Sequence, residues 1–169
     1  NMKKILVTGI DGYIGTILGQ VLMDSGFEVV GLDTGYYRNG WLYNGVKKVP
    51  QTITKDVRNV TVDDLKGFDA VVHLAEISND PIGQNNPEVT YDINHRGTVR
   101  LAKAAKEAGV KRFVYYSSCS VYGASDGISD ETSPTNPLTA YAKSKILNEE
   151  ALSKMADENF TPVFFRNAT

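Results

Sequence analysis

Thr8-Gly9-Ile10-Asp11-Gly12-Tyr13-Ile14-Gly15 is the stretch whose reading decides the fold. A β-branched run over 4–8 leads into it. A pattern of helical period over 13–25 leads out, with Ile14, Ile17, Leu18, Val21 and Leu22 on one apolar face. A strand that ends in spaced glycines and opens straight into a helix builds an anion-binding turn. Glycine permits the tight reversal and lets helix N-terminal N–H groups come close to a ligand. The spacing is GxxGxxG rather than the commoner GxGxxG, so the turn must be weighed together with the residues downstream of it.

Working outward, strand-length apolar runs alternate with helical patterns. Gly26 is placed to cap the first helix, and 28–32 reads as a second strand ending at Asp33. The Gly-, Tyr- and Asn-rich stretch 34–45 reads as a loop, 48–52 as a short strand and 61–65 as a short helix. After them come a strand over 70–74, a helix over 88–108, a strand over 112–117, a helix over 139–158 and a strand over 162–166. In the long helix Val89, Ile93, Gly97, Leu101, Ala104 and Ala108 share a face. Near-continuous apolar strands separated by helices predict a doubly wound parallel sheet, a three-layer αβα sandwich.

Asp33 closes the second strand at a distance from the glycine turn that suits a dinucleotide. Its carboxylate can accept both ribose hydroxyls and would repel a 2′-phosphate, which favours NAD over NADP. Arg38 is the nearby cation, in the loop. The chain therefore reads as an NAD-binding Rossmann domain over 1–169.

Composition narrows the remaining classes. With 169 residues, 41% hydrophobic, 22% charged and a net charge of -2, the chain has the profile of one soluble globular domain. Its scattered Lys and Arg argue against nucleic acid. No apolar run approaches membrane-spanning length, and Lys3-Lys4 before 5–10 reads as the start of a buried strand rather than a leader. One cysteine, Cys119, and two histidines, His73 and His95, offer neither a disulfide framework nor a zinc site. The expected compartment is cytoplasmic, and the sequons at Asn59, Asn159 and Asn167 read as chance matches.

Tyr141 and Lys145 fall one turn apart on a helix. A free phenol has a pKa of about 10, and bringing it near neutrality takes about 4 kcal/mol of differential interaction. A neighbouring ammonium and a cationic nicotinamide both act in that direction. Ser118, at the end of the preceding strand, can hydrogen-bond the reacting oxygen. Alone, such a Tyr–Lys pair is common on exposed helix faces.

Its surroundings raise its significance. The chain carries Thr8-Gly9-x-x-Gly12-x-x-Gly15, Asp56-Val57-Arg58, His73-Leu74-Ala75, Asn94 with Gly97-Thr98, Ser117-Ser118-Cys119-Ser120-Val121-Tyr122-Gly123, and Tyr141-x-x-x-Lys145. In this order the motifs resemble the extended short-chain dehydrogenase/reductases, in their NAD-dependent epimerase/dehydratase branch. The resemblance implies that Gly9, Gly12, Tyr13, Ile14 and Gly15 hold the pyrophosphate and that Asp56 and Val57 contact adenine. Leu74, Ala75 and Glu76 would lie under the adenine ribose and pyrophosphate, and Ser117 would join the cofactor contacts. Asn94 would order the active site. Ser118 would be the catalytic hydroxyl and Tyr141 the general acid/base. Lys145 would bind the nicotinamide ribose and lower the tyrosine pKa. The stretch 167–169 would begin the segment that closes over the nicotinamide and substrate.

Two departures stand out. Glu76 occupies a position where the family usually has a small residue. Cys119-Ser120 stands where 4,6-dehydratases carry an Asp-Glu pair, which disfavours loss of water. The resemblance thus implies a nucleotide-sugar epimerase working by transient oxidation and re-reduction at a sugar carbon. This piece of the chain is expected to bind NAD without turnover, and a homodimer is expected through the helices at 88–108 and 139–158. A sugar-nucleotide dehydrogenase or reductase uses the same groups. A non-catalytic NAD-binding redox sensor or scaffold is the alternative of another class. Elsewhere, His73 reads as structural, His95 as lying on an exposed or interface face, and 148–158 as a solvated helix face. The aromatic loop of Tyr36, Tyr37, Trp41 and Tyr43 reads either as a cover for adenine or as a folded-over surface loop.

Overall fold

The computed structural model describes residues 2–34, 50–76, 86–124 and 126–168. Arg38, the aromatic loop and Thr169 lie outside the described residues. Chain order runs β1 (Lys4–Thr8), α1 (Tyr13–Asp24), β2 (Glu28–Asp33), β3 (Gln51–Thr54) and α2 (Val62–Leu65). It continues through β4 (Ala70–His73), α3 (Pro87–Glu107), β5 (Arg112–Ser118), α4 (Ala140–Lys154) and β6 (Thr161–Asn167). Single 3₁₀ turns at Val57–Asn59 and Cys119–Tyr122, which the periodicity did not announce, follow β3 and β5.

Among the described residues six strands form one sheet in the order β3-β2-β1-β4-β5-β6, and every described pairing is parallel. This is the doubly wound Rossmann arrangement. Strand order reverses between β1 and β4, so a crevice opens beyond their carboxyl ends. Strand residues alternate between two cores, as a sheet covered on both faces requires. Ile5, Val7 and Val29 pack with Ile10, Leu22 and Met23 on the α1 side. Leu6, Val30, Leu32, Val71, Phe113 and Tyr115 pack on the other side with Leu101 and Ala105 of α3 and Leu152 of α4. No helix among the described residues is long and apolar enough to cross a membrane.

Helix ends follow their capping chemistry. Thr61 and Asp64 form a reciprocal capping box at α2, and the side chains of Asn86 and Thr139 cap α3 and α4. Gly26 sits just past α1 at φ 89°, as expected of a terminating glycine. The fourth helix ends at Lys154, short of the expected 158, because Asp157 turns the chain and accepts the Asn159 N–H at 2.8 Å.

Two surface readings are corrected. Gly15 and Gly19 are the buried residues of α1, whereas Ile14, Ile17 and Val21 are exposed. At Gly15 and Gly19 the helix lies so near Gly9 and Ile10 that a side chain would not fit, and it packs on the core through Leu22 and Met23. The stretch 148–158 is also less solvated than expected, since Asn148, Glu149 and Leu152 are buried. Arg166 of β6 reaches Glu149 with two hydrogen bonds of 3.0 and 3.1 Å and donates to Tyr122 Oη at 2.8 Å. That clamp joins β6, α4 and the turn after β5.

Candidate active site

The glycine turn holds its shape by crowding. Gly9 adopts φ 72°, and a Cβ there would lie 3.0 Å from the Ala75 nitrogen. A Cβ on Gly15 would come within 2.2 Å of the Gly9 carbonyl oxygen, whereas one on Gly12 would meet only that oxygen, at 3.2 Å. Gly12 is thus the open side of the turn. It is also the N-cap of α1, with no side-chain cap and no acidic residue in the first turn. The first N–H groups of the helix and its positive end are left for an anion.

Around this turn the expected cofactor residues gather. Asp33 is buried at the end of β2, and its Oδ2 accepts the Asp11 N–H at 3.1 Å. Tyr13 and Ile14 are exposed at the first turn of α1. Thr8 Oγ1 accepts the N–H groups of Leu74 and Ala75 at 3.1 and 3.2 Å, which draws their loop over Gly9. Asp56 and Val57 follow β3. The Asp56 carboxylate caps the 3₁₀ turn and pairs with Arg58, and those bonds hold it below the usual carboxylate range. Ser117 is buried, its Oγ without a hydrogen-bond partner among the described residues. Asn94 is half-buried on α3, one turn from Tyr91 and from Thr98.

His73 ties the strands at the switch point to the long helix. Thr8 Oγ1 already accepts twice, so its own hydrogen goes to His73 Nδ1 at 2.7 Å. The ring proton is then on Nε2 and is given to Thr98 Oγ1 at 3.1 Å. Burial, its largest influence, pushes the imidazole pKa down to about 4, opposed by the charge of Glu76. His73 is therefore a neutral tie between β1, β4 and α3. An unfolded His73 takes up a proton near pH 6.5, while the folded one does so only near pH 4. Stability is therefore expected to fall by about 3 kcal/mol across that window as pH drops. Denaturant titrations at pH 7 and pH 4.5 check this, and in His73→Asn that part of the difference should vanish.

Ser118, Tyr141 and Lys145 converge where β5 ends and α4 begins. The Ser118 hydroxyl lies close enough to Tyr141 to act on its ionisation. The Lys145 Nζ lies 5.3 Å from the centre of the Tyr141 ring and 5.0 Å from that of Tyr115. Lys145 is 3% exposed, and its ammonium donates to Glu76 Oε2 at 2.7 Å and to the Tyr116 carbonyl at 3.0 Å. The expected lowering of the Tyr141 pKa is not what this arrangement produces. Burial first, and Glu76 second, hold the phenol above its ordinary value, while the Ser118 hydroxyl acts the other way.

Several participants lacked any motif in the sequence. Tyr91 of α3 meets Tyr141 edge-on at 5.7 Å. Tyr115 donates to Glu76 Oε1 at 2.8 Å, Asn148 Nδ2 donates to Tyr115 Oη at 2.7 Å, and Asn148 Oδ1 lies 2.6 Å from His95 Nδ1. His95 is thus half-buried against α4 rather than turned to an exposed face. Asn148 was findable, because Tyr141, Lys145, Asn148 and Leu152 share one helical stripe. Cys119 donates its thiol to the Arg166 carbonyl at 3.0 Å, and Ser120 gives its N–H to Ser118 Oγ. Neither brings a carboxylate to the site. Among the described residues, no cluster of His, Cys, Asp or Glu suits a metal.

Known proteins share this fold. The chain is 33% identical over 153 residues to a UDP-glucose 4-epimerase of Streptomyces lividans, which covers 85% of this chain and 44% of that protein. Its structure superposes with a TM-score of 0.82 and 27% identity on UDP-glucose-4-epimerase from Stenotrophomonas maltophila with bound NAD and formylated UDP-arabinopyranose. That match covers 98% of this chain and 52% of the other. An NAD-dependent NDP-hexosamine 5,6-dehydratase of tunicamycin biosynthesis superposes with a TM-score of 0.78 at 29% identity, covering 96% of this chain and 52% of that one. The chain spans about half the length of these proteins. The model of the NAD dependent epimerase/dehydratase family matches residues 5–169, and the chain, with its glycine turn and its Ser–Tyr–Lys convergence, belongs to that family.

Proposed function

We propose that this chain is the NAD-binding and catalytic part of a nucleotide-sugar epimerase. One observation carries the reading: an uncapped glycine turn and the Ser118–Tyr141–Lys145 set stand at the carboxyl ends of strands in one sheet. The residues present fit the dinucleotide. Gly12 leaves room beside the α1 N-terminus for a pyrophosphate, and Asp33 offers a carboxylate to ribose hydroxyls. Asp56, Val57, Leu74 and Ala75 would line the adenine side, and Ser117, Asn94, Tyr141 and Lys145 the nicotinamide side. When bound, NAD supplies a reversible two-electron acceptor at the sugar carbon.

The protein's own groups do the rest. Ser118 holds the reacting sugar oxygen by hydrogen bonding. Tyr141 takes the hydroxyl proton as the carbon is oxidised. The resulting ketone turns its other face, and Tyr141 returns the proton on re-reduction. Without a carboxylate at Cys119 or Ser120, the site has no second acid for expelling water.

The sugar-binding domain belongs, in this reading, to polypeptide beyond residue 169. Strand register supports it. Val72 pairs with Val114 and Val114 with Val163, so Val163 and Phe165 share the α1 face of the sheet. They are 36% and 58% exposed, and Ile14, Ile17 and Val21 of α1 are exposed as well. An apolar face of this kind calls for a covering layer. We also read the protein as cytoplasmic and as a homodimer through α3 and α4, whose Val89 and Leu147 are exposed. Sedimentation of the chain would test the dimer.

Calorimetric titration with NAD tests the central claim. Saturable binding is expected, and Tyr141→Phe should keep it while abolishing turnover in the gene product read past residue 169. No NAD binding by the folded chain would overturn the reading. NAD retained through dialysis supports the epimerase, and rapid exchange supports a dehydrogenase or reductase.

A further inference from the structure

Glu76 is a buried carboxylate set between the two groups on which the chemistry depends. Its Oε2 accepts a hydrogen bond from the Lys145 ammonium at 2.7 Å, with the two side chains only 4% and 17% exposed for Lys145 and Glu76. Its Oε1 accepts a hydrogen bond from the Tyr115 hydroxyl at 2.8 Å. Behind Tyr115 the donors run in one direction. Tyr115 directs its only O–H at Glu76, so its oxygen must accept from Asn148 Nδ2. Asn148 Oδ1 is left facing His95 Nδ1, which must then carry a proton. The amide of Asn148 makes this chain a poor path for protons, so it serves to orient the carboxylate.

We propose that Glu76 is a positioning residue that clamps Lys145 and withholds the ammonium charge from Tyr141. The proposal rests on the catalytic reading given above and adds to it a carboxylate partner for Lys145. An ion pair of this kind is close to neutral as seen from Tyr141. A ligand that reaches Lys145 must share it with Glu76. Among the described residues, Glu76 and the Tyr116 carbonyl engage two of the three ammonium N–H groups, and the third remains for a ribose hydroxyl.

The groups facing Tyr141 can be enumerated. Lys145 lies on its own helix, Glu76 follows β4, Tyr91 comes from α3, and Ser118, Tyr115 and Tyr116 come from β5. Among the described residues, Glu76 and Lys145 are the charged members of this set. Removing the carboxylate charge takes away a repulsion and leaves the cation to act on the phenol. Both changes ease ionisation of Tyr141, in agreement with the part Glu76 plays in holding that phenol up.

The test needs neither NAD nor sugar, so its outcome is separate from that of the functional reading. Phenolate absorbance of the chain is titrated, and the matching Tyr141→Phe curve is subtracted to isolate Tyr141. Glu76→Gln keeps the size of the side chain and its acceptor for Tyr115. In that variant the Tyr141 midpoint is expected about one pH unit lower, or about tenfold more phenolate at any pH below it. Glu76→Asp keeps the charge and should titrate like the parent. Circular dichroism verifies that each variant is folded. An unmoved midpoint in Glu76→Gln overturns the proposal. So does a shift in Glu76→Asp as large as in Glu76→Gln, because loss of shape rather than of charge would then be responsible.

Discussion

Gly15→Ala is expected to unseat the glycine turn, costing the chain about 2 kcal/mol of net stability and at least tenfold in NAD affinity. Two effects compete. Alanine in place of glycine favours a helix by about 1 kcal/mol. Against this, the added Cβ would lie 2.2 Å from the Gly9 carbonyl oxygen and 2.9 Å from the Ile10 Cα. Both atoms are backbone, so no side chain can rotate away, and overpacking of this kind costs about 3 kcal/mol. Gly9 cannot retreat either, because the Ala75 backbone stands against it and its φ is 72°. Gly12→Ala provides the contrast. Its Cβ meets only one oxygen, at 3.2 Å, but it occupies the side open to a pyrophosphate. That variant should melt within a few degrees of the parent and still lose NAD. Denaturant titration and calorimetry on the same samples separate the two. Equal behaviour of the two variants would contradict the division of labour between these glycines.

Arg166→Met is expected to lower stability by about 3 kcal/mol, or the melting temperature by about 6–12 °C. The guanidinium holds the buried Glu149 carboxylate through two hydrogen bonds, and its own pKa is driven up by them. It also stacks over the Tyr122 ring at 5.1 Å. Methionine fills much of the volume and leaves Glu149 without its charged partner. Adding Glu149→Leu should restore most of the loss, because removing both ions is far milder than stranding one. If the double variant is no more stable than the single, the interaction is not what holds β6 to α4. Arg166 has no place in the catalytic set, so NAD binding by the folded fraction should persist in both variants.

Neither Gly15 nor Arg166 would have been ranked this way from composition, which bears on what the sequence makes legible. The parallel sheet and the αβα layering follow from alternation of apolar runs, because a parallel sheet must be apolar on both faces. The glycine turn, Asp33 and the Tyr141–Lys145 spacing were readable for the same reason, since each depends on near neighbours. The inner face of α1 was not. Periodicity selects Ile14, Ile17 and Val21, but the helix approaches the sheet through Gly15 and Gly19, where a Cβ on Gly19 would meet Ile10 at 2.9 Å. Close approach rewards the absence of a side chain, and hydropathy cannot register an absence. The Glu76–Lys145 pair was hidden for another reason. Its partners are 69 residues apart, and no local pattern couples them. The contact of His95 was hidden likewise, because its partner Asn148 sits on a different helix.

The place of β1 in the sheet has a consequence for how the chain reaches this state. Of the six strands, the one synthesised earliest is an interior one, bonded to β2 on one side and to β4 on the other. Its second edge stays open until residues 70–73 have been made and have come back beside it. Each later strand, β5 and then β6, extends the sheet on that same side. Assembly is thus vectorial, starting from an early seed that long crossovers must complete, and pairings of this range are slow to form. Through that interval the apolar edge of β1 is exposed to other chains. Aggregation during synthesis should therefore be most sensitive to substitutions in β1 and β4, and least to those in β6.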